Sequence, residues 1–273
     1  MKQIKYIFLL SIIFFACDEI NPVNDFSNDY TFLCILKSDQ PTQKAYLYKA
    51  VNIVNINDVI PADAFILDAE IIMSDGIISS QLQVRENVPN TEEWLVYSDD
   101  SVFYGSILPN KKYDIQIKVN DEIIIGSTTT PGEFAINVPE DNTINLNKDT
   151  DKDYVGNTLV YKYRLSWSES ANASHYVVYP TLIYENEGAY YKYYYLAYEP
   201  IYTADTFAVI DIPEVYPDAS VIGYYPISAR IVVVSVDKNY YEYNILKRDR
   251  AGLSSGYGVF GSTIVDSCIV DIR

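Results

Sequence analysis

The stretch KYDIQIKV, residues 112–119, decides the fold class of this chain. Apolar or aromatic side chains at positions 113, 115, 117 and 119 alternate with polar ones at positions 114, 116 and 118. A period of two puts one set of side chains on a buried face and the other in water, as in a β-strand covering a core. The stretch therefore predicts a half-buried strand, and Asn120-Asp121 predicts a turn into a partner strand at 123–125.

The rest of the chain has the same character. β-Branched and aromatic side chains, including 27 tyrosines among 273 residues, suit a pleated surface. No segment shows a sustained 3.6-residue period with helix caps. Further strands are predicted at Thr31–Leu36, Ala45–Val51, Ala69–Met73, Gly105–Leu108, Leu159–Trp167, Tyr176–Tyr179, Tyr190–Tyr198, Thr206–Ile210, Ile227–Val236 and Ser262–Ile272. The chain is expected to be all-β.

Two segments of the first half carry a family resemblance. DAEIIMSDG at 68–76 and LPNKKYDI at 108–115 resemble the two signature strands of the transthyretin-like, or carboxypeptidase-regulatory, β-sandwich. The resemblance covers residues 30–136. It implies one immunoglobulin-like sandwich there, closed by the TTTPG segment at 128–132.

The second half carries another resemblance. In Leu159–Trp167 the tyrosines, leucine and tryptophan at 161, 163, 165 and 167 share one face, and YVVY follows at 176–179. This spacing resembles the fibronectin type III pattern, in which the tryptophan fills the space between two sheets. We therefore expect two tandem immunoglobulin-like β-sandwich domains, at 30–136 and 159–273, joined by a polar linker at 137–158.

The N-terminus MKQIKYIFLLSIIFFACDE has the layout of a secretory signal peptide over residues 1–16: two lysines, a short apolar run and a small residue. The run is too short to span a bilayer. Cys17 directly after it resembles the lipidated cysteine of a bacterial lipobox, which implies a lipid anchor and a tether at 17–29. An ordinary signal peptide with a chance cysteine is the alternative. Asp18 and Glu19 resemble the acidic tags that direct Bacteroidota lipoproteins to the cell surface.

The whole chain also resembles a family of uncharacterised Bacteroidota outer-membrane lipoproteins. The lipobox, GSTTTPGEF at 126–134 and GYGVFGS at 256–262 carry this resemblance. Members are usually encoded near TonB-dependent outer-membrane transporters. The resemblance implies an accessory role at the cell surface, facing outward from the outer membrane, and supplies no site.

Charge excludes some classes of partner. The chain carries a net charge of −17, and removal of residues 1–16 takes away two lysines and no acid. Binding to nucleic acid or to an anionic lipid surface needs a positive face, so neither is expected. Cys34 and Cys268 are the cysteines left after Cys17, and either a disulfide or two separate buried thiols fits their strand-like surroundings.

Residues for catalysis are few. His175 is the one histidine, and Gly252–Gly256 matches G-x-S-x-G without the strand before and helix after that a nucleophile elbow needs. The motif and the histidine also stand in the wrong chain order. A hydrolase built on two of the 37 acids is conceivable, but no spacing singles out a pair. We expect no enzyme activity and no cofactor.

Asp149, Asp151 and Asp153 place carboxylates at every second position, as a loop does when it wraps oxygen ligands around Ca²⁺. The EF-hand pattern fails at its sixth and twelfth positions, Tyr154 and Val160. A weak calcium site and a solvated acidic linker both remain open.

The density of tyrosines is the strongest indication of a binding surface in the sequence. Twenty of the 27 tyrosines lie between residues 154 and 257. The candidate binding surface comprises Tyr190, Tyr191, Tyr193, Tyr194, Tyr195 and Tyr198, with 191, 193 and 195 pointing one way and 190 and 194 the other. Part of this set should be exposed, because each hydroxyl needs a partner or water. Such a surface suits a protein partner, a TonB-dependent transporter above all, or a glycan stacked on the rings; a half-buried sheet with wet hydroxyls is the alternative.

Overall fold

The computed structural model describes residues 30–50, 64–86, 95–98, 107–186, 188, 191–196, 199–218 and 220–273. Cys17, Asp18 and Glu19 lie outside the described residues, as do Tyr190 and Tyr198. The described chain is almost entirely β-structure with large packed sheets, which confirms the prediction of an all-β sandwich fold.

Seven strands of the first half fold around one core. They are β1 (Tyr30–Lys37), β2 (Lys44–Lys49), β3 (Glu70–Ser74), β4 (Ser79–Glu86), β5 (Leu95–Ser98), β6 (Lys112–Val119) and β7 (Glu122–Thr129). The apolar positions of β6 are buried and its polar positions are exposed or half-buried, as the alternation predicts. β6 and β7 are antiparallel and are joined by the Asn120-Asp121 turn. The core of the first half also contains Phe32, Ile71 and Phe260.

Eleven strands follow. They are β8 (Ile136–Asn137), β9 (Thr143–Ile144), β10 (Thr150–Val155), β11 (Thr158–Trp167), β12 (His175–Glu185), β13 (Lys192–Leu196), β14 (Ile201–Thr203), β15 (Phe207–Pro213), β16 (Tyr225–Val236), β17 (Arg250–Ala251) and β18 (Tyr257–Ile272). A short helix α1 (Lys238–Tyr240) continues into a π-helical turn at Tyr241–Ile245. One sheet, with order β13-β12-β16-β18, faces a second sheet, with order β10-β11-β15. Between them lies a second core, which holds Trp167 against Tyr176 with ring centroids 5.3 Å apart.

Strand β18 belongs to both halves. Its first part pairs in parallel with β1, from Thr31↔Tyr257 to Lys37↔Thr263. Its last part pairs antiparallel with β16, from Val236↔Thr263 to Ser228↔Asp271. We call β1–β7 with the first part of β18 the first unit, and β8–β16 with its last part the second unit. β18 lies in the predicted second domain and also pairs with β1 of the predicted first domain. The division of the chain into two sequential domains stays a prediction.

Glycine makes the β1–β18 pairing possible. Gly258 has a φ of +104°, and a Cβ at this position would lie 2.0 Å from the carbonyl oxygen of Phe32. At Gly256 a Cβ would lie 2.7 Å from the oxygen of Tyr30. The GYGVFGS segment therefore lets two backbones approach closely.

The predicted linker is not a plain loop. Residues 137–158 contain β9, which pairs with the end of β18, and β10, which pairs with β11. Ile144 is fully buried in the second core. The polar composition of this segment comes from the outward side of β10, whose residues 151–155 are exposed.

Candidate functional site

Tyrosines gather at one end of the second unit. The tyrosine tip, as we call it, consists of Tyr184, Tyr191, Tyr193, Tyr195, Tyr216, Tyr224 and Tyr225. The hairpin between β12 and β13 and the loop between β15 and β16 bring these residues together, since Lys192, Glu185 and Tyr225 are paired across three neighbouring strands. The tip thus combines strand residues with residues of a long loop.

The rings of the tip pack edge to face. The centroid of Tyr216 lies 5.4 Å from that of Tyr184 and 5.4 Å from that of Tyr193. Tyr193 lies 4.8 Å from Tyr224 at an interplanar angle of 79°. Tilted and edge-to-face pairs at these distances are favourable, so aromatic packing holds Tyr216 and Tyr224 of the loop between β15 and β16.

The inner part of the tip is structural and the outer part is open. Tyr184 is fully buried, and its hydroxyl donates to the carbonyl oxygen of Pro213 at 3.1 Å. Burial raises the pKa of this hydroxyl far above its ordinary value. By contrast, the side chains of Tyr191 and Tyr225 are 72% and 54% exposed. These two rings are available for contact.

The charges around the tip are mostly acidic. Lys192 pairs with Glu185 at 3.4 Å, and the loop after β15 carries Asp218 and Glu214, whose side chain makes a hydrogen bond with Tyr161. Backbone and side-chain donors of Ser220 lower the pKa of Asp218. The tip therefore combines exposed rings with carboxyl groups on the loop after β15, and both kinds of group can contact sugars or basic side chains.

Strand β13 divides the predicted tyrosine surface. Tyr193 and Tyr195 face the ring cluster, whereas Tyr194, paired with Ile183, points to the opposite side and is 61% exposed. The described residues of the set thus alternate as predicted, but they do not form one surface. The strand itself spans Lys192–Leu196 and is shorter than the predicted Tyr190–Tyr198.

The tip lies at the end of the molecule opposite to Tyr30. Tyr30 starts β1 next to the start of β18, and its hydroxyl accepts from Asn120 Nδ2 at 3.1 Å. β18 then runs sixteen residues, and its last residues pair with the start of β16 below Tyr225. At about 3.3 Å per residue its contour is about 50 Å. The exposed Tyr154 of the β10–β11 hairpin is at the tip end too, because Glu214 N donates to Leu159 O there.

The serine motif and the histidine are not brought together. Ser254 joins the edge of β7: its N–H donates to Ile125 O at 2.8 Å, and its Oγ accepts from Ile125 N at 3.0 Å. His175 opens β12 in the other unit and stacks on Tyr241 with centroids 3.7 Å apart. Burial lowers the pKa of His175. Both residues therefore have structural contacts.

The three aspartates of the calcium candidate are not gathered either. Asp149 Oδ2 accepts from the Asn145 N–H at 2.8 Å, and Asp153 lies 3.4 Å from the Lys162 ammonium. The N–H of Tyr154 and the charge of Lys162 lower the pKa of Asp153. Across the part of the chain that the structure describes, no group of three or more His, Cys, Asp or Glu side chains could hold a metal ion.

Cys34 and Cys268 are free thiols, which settles the disulfide question. Cys34 pairs with Phe260 across β1 and β18, and Cys268 lies eight residues further along β18. Eight strand residues span about 26 Å, far beyond disulfide reach. Burial raises the pKa of the Cys34 thiol to about 12, so this group is chemically inert.

A groove of about 670 Å³ lies on the outer side of β3, β6 and β7. Ile72, Gln116 and Ile125 form its floor and Leu253 and Ser254 one wall. Neither an aromatic ring nor a basic side chain lines it. It therefore offers less than the tip to a sugar ring, and it offers no cation to an acidic ligand.

Sequence reasoning missed several tip residues. Tyr184 could have been assigned to the buried face of β12 by its even spacing from Tyr176 and Leu182. Nothing in the local sequence indicates that Tyr216 and Tyr224 fold back onto β13, because a loop has no periodicity.

No family model matches the chain, and no curated protein matches it either. In the described part of the chain, no helix combines the length and the apolar character needed to cross a membrane.

Proposed function

We propose that this chain is a lipid-anchored binding protein of the outer membrane that acts without catalysis and presents the tyrosine tip to a partner. The lipobox at Cys17 supports the anchor, and Asp18 and Glu19 support display at the cell surface. The resemblance to lipoproteins encoded beside TonB-dependent transporters makes such a transporter the first partner to test.

The observation that carries the proposal is the course of β18. A lipid at Cys17 would hold the molecule by the tether that enters at Tyr30, beside the first residue of β18. The tip lies at the other end of this strand, about 50 Å away along the backbone. A protein anchored in this way carries its exposed tyrosines away from the bilayer, where a partner can reach them.

The tip has the composition of a recognition surface. Tyrosine offers a large contact area for little loss of conformational entropy, which is why it is enriched in paratopes and interfaces. The tip displays its open rings, Tyr191 and Tyr225, on a cluster already fixed by packing around Tyr184. Little conformational freedom is then lost on binding.

The anchor is tested with Cys17→Ser expressed in the native host. The wild-type chain is expected in the outer-membrane fraction and the variant in the soluble fraction, since a lipid anchor is what holds it. Retention of the variant in the membrane would contradict the anchor. Surface display is tested by protease treatment of intact cells, and survival of the anchored chain would argue for the inner face.

Glycan binding is the second candidate. The exposed rings of Tyr191 and Tyr225 favour it, because sugars stack on aromatic faces, and Asp218 on the loop after β15 supplies a carboxylate that can accept from sugar hydroxyls. A polysaccharide that retards the wild-type chain on affinity gels should not retard Tyr191→Ala/Tyr225→Ala. Equal retardation of both would exclude the tip as the glycan site.

A further inference from the structure

The second unit has a second exposed surface, which meets the tip at Tyr225, because Tyr225 is paired with Glu185 and points to the same side of the sheet as Ile183 and Tyr194. The outer face, as we call it, is the side of β13, β12, β16 and β18 that points away from the second core. Strand register places its apolar members side by side. They include Tyr179, Ile183, Tyr194, Leu196, Val232 and Ile269.

The strands beneath this face are apolar on both sides. In Ile231–Val234 the residues at 231 and 233 enter the core, and those at 232 and 234 point to the outer face. Continuous apolar runs are typical of strands covered on both faces, whereas a sheet with one wet face alternates apolar and polar residues. The sequence of β16 is therefore suited to a covered sheet.

Of the outer face, the described residues cover only the end near the first unit. There the helical segment 238–245 packs on the sheet, Tyr241 stacks on His175, and Val177 is 1% exposed. Further along the same face, Tyr194, Leu196 and Ile269 are 61%, 65% and 58% exposed. The cover thus ends half-way along an apolar surface.

The size of the uncovered area fits a stable dimer. An aromatic side chain offers about 150–250 Å², and Leu and Ile offer less. The five most exposed apolar members, which include Tyr202 as well as Tyr179, then offer roughly 500–600 Å². The half-buried members raise the total toward the ~800 Å² per partner of a standard interface.

The outer face carries a positive and a negative side chain that can pair between two copies. Arg230 lies in the middle, beside Ile269, and makes no ion pair with the described residues. Asp271 stands two positions beyond Ile269 on the neighbouring strand. In a two-fold arrangement Arg230 of each copy can meet Asp271 of the other, because an isologous interface repeats every contact. A different partner would have to supply its own carboxylate.

We propose that a second copy of this chain covers the outer face, which makes the protein a two-fold dimer through β13, β12, β16 and β18. The proposal does not depend on the lipid anchor.

Sedimentation equilibrium tests it on the full chain carrying Cys17→Ser, so that no lipid drives association. We expect a monomer–dimer equilibrium whose dissociation constant falls as NaCl is raised from about 20 mM to about 500 mM. Salt screens the repulsion between two chains of net charge −17. Ile269→Glu should weaken association at least tenfold. Ile125→Glu is the matched control: its side chain is 57% exposed on the first unit, and association should not change.

A charge exchange distinguishes a second copy from any other partner. Arg230→Asp and Asp271→Arg should each weaken the dimer severalfold, and the double variant should recover most of the loss. Circular dichroism and the unfolding midpoint confirm that each variant folds. A monomer at all salt concentrations up to about 100 µM protein, or equal effects of Ile269→Glu and Ile125→Glu, would overturn the proposal.

Discussion

The hydroxyls of Thr128 and Ser262 lie 3.1 Å apart, and both surround the buried carboxylate of Asp237. Thr128 is the penultimate residue of β7 and donates to Asp237 Oδ2. Asp237 also caps the helix by accepting from the Tyr240 N–H at 2.8 Å. Thr128 belongs to the GSTTTPGEF segment and Ser262 to GYGVFGS. The two segments that carry the resemblance of the whole chain thus meet at one polar junction between the units.

Asp237 is expected to make stability depend on pH. Burial raises the pKa of its carboxyl above the ordinary value of 3.8, although the hydrogen bonds from Thr128 and Tyr240 oppose this. The folded state therefore holds this proton more tightly than the unfolded chain, and Asp237 costs stability as the pH rises through the raised pKa. The free energy of unfolding of the wild type, minus that of Asp237→Asn, should fall from pH 4 to pH 7. A difference that is constant, or that rises with pH, would contradict the assignment. Urea unfolding at each pH provides the measurement.

Gly258 is expected to tolerate no side chain. Gly258→Ala combines a left-handed φ with a Cβ inside the contact radius of the Phe32 carbonyl, so a loss of about 3 kcal/mol or more is predicted. Gly156→Ala is the control: its φ is +61°, nothing lies within 4 Å, and about 1 kcal/mol is expected. Chemical denaturation of both variants compares them, and equal losses would show that β1 and β18 do not approach as described.

Substitutions of buried and of exposed tyrosines in the tip should have different effects on the free energy of unfolding. Tyr184→Ala removes a fully buried ring and should cost about 3–5 kcal/mol. Tyr191→Ala removes an exposed ring and should change the free energy of unfolding by less than about 0.5 kcal/mol. Thermal unfolding measures both. A large loss for Tyr191→Ala would mean that its ring serves packing and not contact.

The thiols of Cys34 and Cys268 should be unreactive in the native state. Cys34 is buried and its thiol pKa is about 12, and burial also raises the pKa of Cys268. A thiol reagent at pH 8 should label Cys34 only after denaturation, and a reducing agent should leave the unfolding midpoint unchanged. A drop in the midpoint on reduction would reveal a disulfide that the structure excludes.

The sequence predicts the strands that alternate or contain long apolar runs, and it fails where pairing is non-local. β6 and the turn at Asn120 were predictable because period and turn chemistry are local signals. The parallel pairing of β1 with β18 joins residues more than 220 positions apart, and no local pattern encodes it. The sequence predicts a linker where β10 lies, because an edge strand with charged residues resembles a polar loop.

The candidate site was predicted in part. A cluster of tyrosines in a β-chain indicates exposed rings, and the alternation in β13 correctly separates Tyr194 from Tyr193 and Tyr195. The sequence does not show which tyrosines are packed and which are exposed. That depends on Tyr216 and Tyr224, which tertiary packing brings to β13.

The most direct test of the account is a mild-detergent pull-down of the tagged, lipidated chain from native outer membranes, analysed by mass spectrometry. The wild type should retain a stoichiometric outer-membrane protein, which we expect to be a TonB-dependent transporter. Tyr191→Ala/Tyr225→Ala should lose it, and Ile77→Ala, which changes an 83% exposed side chain on the first unit, should keep it. Recovery of the chain without a partner, or equal retention by the tip variant, would contradict recognition through the tyrosine tip.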